Sequence, residues 1–477
     1  MPSPNRRLAA RAALLALLIA PVWGCSAGTE PGPPGGSAGG NPSPSSTTGA
    51  RHEGLGDIFV GGRAVTGSKP SGNAKFPYRR TYVDGDLYSA VTGYRSMAFA
   101  KAGLEAVYDG VLTPRPGDGR SSAGEVMTTI DPDVQRAAGD GLRGHKGAAV
   151  AMDAESGRLL ALVSAPSYDP SSFAGNSTAD GEAWQRLTGD QGEPLLNRAL
   201  REAVAPDETF EVVVAAAALE QGVYASVDET TRSPLPYALP GSGTELPSGP
   251  ARCRNASIRT ALRYSCRNVF MAMAVEVGQP RLVSTAKAFG FNDDALLVPV
   301  RVGRSDCPEG DVGGTDAALI GTGRGGVTAT PVQMARVMAV IANGGKRVDP
   351  QLVSKVVRAD GRAEKPRRAA GGRIIGQGTA EQLQSALKTS ASGAVTERGG
   401  APGAVIGGKT GWVPPAHSYG DESSAWFISY ARSGQGRLVA FAVHVGGFDD
   451  RVDEADGARP AVRVAERMSG AAAATRG

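Results

Sequence analysis

Glu208 and Glu211 stand three residues apart at the mouth of an apolar run, Phe210 to Leu219. On a helix that spacing puts both carboxylates on one face. A carboxylate pair can act as acid and base on a glycosidic bond. At i, i+3 the two are too close for an inverting mechanism, and aromatic residues, the usual sugar platform, make up only 5 % of the chain. The other reading is structural. Pro206-Asp207-Glu208-Thr209 is a strong helix start, with Asp207 as N-cap and the acids at the positive end of the helix dipole.

The elements that must position these residues are legible in outline. Phe210 to Leu219 is apolar on nearly every side and predicts a fully buried helix. Gly147 to Met152 and Arg158 to Val163 flank a turn containing Gly157 and predict a hairpin. Gly403–Thr410, Ser424–Tyr430 and Arg437–Val445 predict three more strands. Two strands, a long helical middle and three strands imply one antiparallel sheet closed by distant parts of the chain, with helices on both faces. The expected class is α+β. From residue 53 to 125 the pattern is mixed and predicts a small N-terminal domain, followed by the main domain over 126–470.

The chain of 477 residues carries 51 basic and 47 acidic side chains, a balance that gives no reason to propose a nucleic-acid partner. Residues 1–25 read as an export signal: Arg6, Arg7 and Arg11, then a short apolar run from Ala12 to Val22. That run is well under the roughly 20 residues needed to span a bilayer. It ends at Cys25 after Gly24, which resembles a lipobox, so Cys25 is the expected lipidation site and the anchor to the outer face of the cytoplasmic membrane. Residues 26–52 are mostly Gly, Pro, Ser, Thr, Ala and Asn and read as a flexible tether. Cys253, Cys266 and Cys307 then leave one disulfide and one thiol, with three pairings open. Four histidines at no ligand spacing argue against a zinc site, and no metal or cofactor is expected.

A series of short motifs, in order, resembles the transpeptidase domain of class B penicillin-binding proteins of actinobacterial type. In the small domain these are Tyr78-Arg79-Arg80-Thr81-Tyr82, Val91-Thr92-Gly93-Tyr94, Gly103-Leu104-Glu105 and Tyr108-Asp109. The series continues through Ala165-Pro166-Ser167-Tyr168-Asp169-Pro170, Leu195-Leu196-Asn197-Arg198-Ala199 and Thr328-Ala329-Thr330-Pro331-Val332-Gln333-Met334. It ends at Ile341-Ala342-Asn343-Gly344-Gly345 and Gly408-Lys409-Thr410-Gly411. The resemblance implies the penicillin-binding/serine β-lactamase-like fold, an antiparallel sheet flanked by helices.

It also implies acyl transfer on peptidoglycan stem peptides by a serine, with a lysine one turn later as its base. In this chain Glu208 and Glu211 take those two places. A carboxylate cannot be acylated as a hydroxyl is, and a second carboxylate is no substitute for a lysine. Of the second motif, Ser265 is retained, whereas Arg267 replaces the asparagine; Asn268, one residue on, is rotated by about 100°. Lys409, Thr410 and Gly411 are intact, but Trp412 stands where a hydroxyl residue would help to bind a carboxylate. Ser385-Ala386-Leu387-Lys388 is another Ser-x-x-Lys, but it lies in the wrong order and on a surface helix. The resemblance implies a Cys253–Cys307 disulfide with Cys266 reduced.

Together these readings point to an exported pseudoenzyme that binds peptidoglycan or cell-wall and division proteins. The competing reading is an active D,D-transpeptidase or carboxypeptidase with unconventional residues. Four charges in one cleft are expected to pair, Arg267 with one of Glu208 and Glu211 and Lys409 with the other.

Overall fold

The computed structural model describes residues 54–114, 123–246, 249–310, 313–366, 371–395, 405–413, 423–447 and 457–475. Cys25, the signal-like segment and the whole of the tether lie outside the described residues.

The main sheet has five strands, all antiparallel: β1 (Lys146–Asp153), β2 (Leu159–Ala165), β3 (Val405–Val413), β4 (Ser424–Arg432) and β5 (Leu438–Gly446). Their order is β3-β4-β5-β1-β2, so the hairpin and the three C-terminal strands join through β5 and β1. This is the sheet expected from the sequence. The β1–β2 turn is fixed by Asp153, whose carboxylate accepts from the Glu155 and Ser156 main-chain N–H groups. Gly157 closes it at φ 75°, where an added Cβ would lie 1.9 Å from the Asp349 carbonyl oxygen.

Helices cover both faces. Helix α1 (Pro132–Leu142) and the C-terminal helix Arg459–Ala474 bury Ala149, Phe427, Phe441 and Val443 on one side. On the other side α4 (Pro331–Ala342), buried at every position, packs against the sheet. The long apolar run forms α2 (Glu211–Glu220), with every residue from Glu211 to Ala218 buried. It is entered through a 3-10 turn, Asp207–Thr209. Asp207 does not cap the helix as expected. Its φ is 46°, and its carboxylate is drawn sideways to an arginine described below.

A second sheet joins Ile58–Val60 and Arg63–Ala64 to Glu125–Thr128, and then to Val353–Val357 and Ala363–Glu364 from far along the chain. Beside it two of the sequence motifs meet. Arg80 Nε lies 2.6 Å and Arg95 Nε 2.9 Å from the fully buried Glu105 carboxylate.

Candidate functional site

Three elements converge on the start of α2. Strand β3 lies along one side and is an edge of the main sheet. The junction between Ile258–Tyr264 and α3 (Arg267–Val277) faces it, with Ser265 in the left-handed region at φ 50°. A glycine-rich turn follows the helix Gly314–Gly321 and carries Arg324.

Every carboxylate at this point has a cation from a different element. Glu208 Oε1 accepts from Arg267 Nε at 2.9 Å and from Nη2 at 2.5 Å. Its other oxygen accepts from the Trp412 main-chain N–H at 2.9 Å. Burial works against its charge, but Arg267, Lys409 and the Trp412 amide outweigh it and hold the carboxyl below its ordinary value. Asp207 Oδ1 accepts from Arg324 Nε at 2.9 Å. Burial, followed by the neighbouring Glu208 charge, pushes Asp207 up to about 7 against the pull of Arg324.

Glu211 is fully buried, and its Oε2 lies 3.4 Å from Lys409 Nζ. That is an ion contact, with neither oxygen accepting a well-formed hydrogen bond. Burial therefore prevails and pushes Glu211 up to about 8, despite the pull of Lys409. Lys409, itself buried, spends its ammonium on the Ser265 hydroxyl at 2.8 Å and the Thr410 carbonyl at 2.9 Å as well as on Glu211. An ammonium has three protons and no acceptor, so this lysine is placed to donate.

The expected pairing of Arg267 with one acid and Lys409 with the other is what the geometry shows. Sequence reasoning missed Arg324, whose signal was a lone arginine within Gly323-Arg324-Gly325-Gly326. It also missed what happens to strand β3. The Thr410 carbonyl and the Trp412 N–H, on the strand's open edge, are taken by Lys409 and Glu208 from within the chain. The Trp412 ring lies in the cluster containing Phe427 and Ala461 beneath the C-terminal helix, against Gly457, so only its main chain reaches the cleft. Asn268 donates its amide to the carbonyls of Ser233 and Cys253. Ser385 is far off on the helix Gln377–Val395, bonded to Arg259.

The disulfide expectation is overturned. Cys253 pairs with Cys266, with Cα atoms 5.3 Å apart, and Cys307 is the buried thiol. The Asn268 bond to the Cys253 carbonyl draws the turn Ala251–Cys253 to the start of α3, which brings those two sulfurs together. Cys307 is held elsewhere, its N–H on the Asn292 side chain, and burial pushes its thiol up to about 12.

Beside the ion pairs lies a cavity of about 1190 Å³. Arg267, Arg324, Asp207 and Ser265 form one part of its wall, and His444 and Ser424 another. Among the described residues no cluster of side chains fits a metal ion, and no helix is long and apolar enough to cross a membrane.

Known proteins share this framework. The penicillin-binding protein transpeptidase domain matches residues 147–468, and the penicillin-binding protein A dimerisation domain matches residues 55–131. The peptidoglycan D,D-transpeptidase PbpA of Mycobacterium tuberculosis is 33 % identical over 440 residues, covering 84 % of this chain and 86 % of that one. The crystal structure of PBPA from that organism superposes with a TM-score of 0.78 at 30 % identity, over 88 % of this chain and 99 % of the other. A D,D-transpeptidase domain from Eggerthella lenta superposes at 0.70 with 26 % identity, over 88 % and 98 %. With both domains matched and relatives alike over most of their length, the chain belongs to the penicillin-binding protein transpeptidase family, close to its class B members from actinobacteria.

Proposed function

We propose that this protein is a non-catalytic member of its family, exported and lipid-anchored through Cys25, that works by binding within peptidoglycan assembly. The observation that carries the reading is the Glu208 carboxylate itself. It stands in the nucleophile's place, is pinned by Arg267, and occupies the main-chain N–H of Trp412. In an acyl transferase such a donor must be free to receive the oxyanion of the transition state. Here the Glu208 carboxylate, held below its ordinary pKa by Arg267, already fills it. The peptidoglycan assignment draws on the relatives, one of which is named a peptidoglycan D,D-transpeptidase.

One observation favours an active enzyme: Ser265 and Lys409 form a hydrogen-bonded pair at 2.8 Å. A serine–lysine pair acts as nucleophile and base only if the lysine can take a proton. Lys409 faces Glu211 and donates to its neighbours, which weighs against that reading. Intact-mass measurement after hours with excess benzylpenicillin separates the two. No added mass is expected, and a stoichiometric adduct would overturn the proposal, with peptide mapping to show whether Ser265 carries it.

A further inference from the structure

Strands Thr66–Pro70 and Tyr78–Tyr82 form a hairpin that belongs to neither of the larger sheets. Lys69 stands opposite Arg79 and Pro70 opposite Tyr78, so the tip runs from Ser71 to Pro77. From Ile58 to Val83 the sequence carries Arg63, Lys69, Lys75, Arg79 and Arg80 and no acidic residue. Arg80 is spent on Glu105 and Arg79 on Asp180, whereas Lys69 and Lys75 are exposed. Phe76, next to Lys75, is 41 % exposed. We propose that this tip is a membrane-contact site for a bilayer containing anionic phospholipid, with Lys69 and Lys75 on headgroup phosphates and Phe76 in the interface. The proposal rests on the lipid-anchored part of the reading above and adds a second point of contact.

A single exposed phenylalanine is ordinary in itself. Three observations together select a bilayer. The first is place. The described residues begin at Gly54, directly against this hairpin: the Leu55 N–H donates to Ser68 Oγ at 3.1 Å, and a Cβ on Gly54 would meet the same oxygen. The tether, residues 26–52, is rich in Gly and Ser, and a chain of that length has an average reach of about 30 Å. A lipid on Cys25 would therefore hold the hairpin near the bilayer at high effective concentration. Contacts too weak to recruit a free protein then suffice.

The second is charge. Lys69 faces another base across the hairpin, and a lysine stem lets its ammonium reach a phosphate while its methylenes lie on apolar surface. Lys75 Nζ lies 5.5 Å from the centre of the Phe76 ring, so cation and ring leave the tip together. The third is that the tip costs little to dehydrate. Asn73 Oδ1 accepts from the Lys75 and Phe76 main-chain N–H groups at 2.9 and 3.2 Å. The Ser71 N–H donates to the Pro77 carbonyl at 2.9 Å, and the Ser71 hydroxyl to the Phe76 carbonyl. A backbone closed on itself in this way can enter a region poor in water. An acidic protein could answer the lysines, but nothing would tie it to the place where the chain leaves the tether.

Hydrogen exchange of the full chain, mixed with excess vesicles, tests the assignment. The peptide over Ser71–Pro77 is expected to exchange about fivefold more slowly on phosphatidylcholine mixed with phosphatidylglycerol than on phosphatidylcholine alone. Lys69→Gln combined with Lys75→Gln is expected to abolish that difference, and Phe76→Ser to reduce it severalfold. All three side chains are exposed, so these variants are expected to fold, with unchanged exchange in the hairpin strands when vesicles are absent. Equal exchange on both kinds of vesicle, or a difference that survives the two lysine changes, would overturn the site. Slowing that is the same on both relative to the free chain would point to a protein contact, a second copy included, and would overturn it too. The mass of the Cys25 peptide reports separately on the anchor. An unmodified Cys25 would remove the lipid-anchored reading, while slowing confined to the anionic vesicles would still establish the hairpin contact. A lipidated Cys25 without that slowing would keep the anchor and remove the hairpin.

Discussion

At the scale of single residues, the three acids at the head of α2 differ in what their charge costs. Glu208 is 6 % exposed and keeps its charge through Arg267, which is 42 % exposed. Removing Arg267 strands a buried carboxylate, yet half of that arginine is already in water. Arg267→Ala is therefore expected to destabilise by about 1–3 kcal/mol, between a solvated and a fully buried pair. Chemical denaturation measures it, and an unchanged midpoint would mean that the pair is energetically idle. Glu211 behaves in the opposite sense. Its folded pKa of about 8 lies above its ordinary 4.5, so the folded protein holds that proton more tightly than the unfolded chain. Stability from this group is complete below about 4.5 and is lost as pH rises through about 8. Glu211→Gln, neutral at every pH, is expected to lose less stability than the parent between those limits, and parallel pH profiles would refute this. The pairing of Glu208 and Lys409 with new partners was legible because the sequence placed two acids and two bases at neighbouring motif positions. Asp207 and Arg324, 117 residues apart, carried no such cue.

At the scale of elements, α2 and the five strands were legible because their hydrophobic runs are long and their turns are marked. The entry to α2 was not. Asp207-Glu208-Thr209 reads as a capped helix start, but the structure makes a 3-10 turn with Asp207 at φ 46°, a conformation that favours glycine. The Arg324 pair holds the residue there. Gly323 is what allows the two segments to meet: at φ 73° its Cβ, if present, would lie 2.1 Å from the Asp207 carbonyl oxygen. Gly323→Ala is expected to push Arg324 off Asp207 and destabilise by roughly 2–4 kcal/mol through clash and backbone strain together. Thermal unfolding of this variant beside Gly325→Ala, where the nearest atom is 3.1 Å away, separates the clash from loss of a flexible residue.

At the scale of the whole molecule, distant segments are joined by links that spacing does not reveal. Strand Val353–Val357 completes the sheet begun near the N-terminus. The Cys253–Cys266 bridge ties the turn Ala251–Cys253 to the N-cap of α3, across the helix Ile258–Tyr264. The two cysteines are 13 positions apart in sequence, and replacing both by serine is expected to lower stability by about 2–3 kcal/mol. Non-reducing peptide mapping is expected to find that pair alone, with Cys307 alkylated only after denaturation. A Cys253–Cys307 peptide would contradict the structure. The resemblance pointed to Cys253 with Cys307, whereas the structure pairs Cys253 with Cys266 and holds Cys307 apart on Asn292, a placement that depends on loop contacts spacing does not reveal.

The carboxylate at position 208 also has a consequence for how such a protein is noticed. Surveys of cell-wall enzymes by labelled penicillin register a protein only when its serine traps the drug as an ester. On the proposed reading this chain would be translated, exported and folded like its relatives yet leave no band on such a gel. It would neither soak up antibiotic nor compete for it. Its abundance in a membrane would have to be counted by antibody or by mass spectrometry of its peptides.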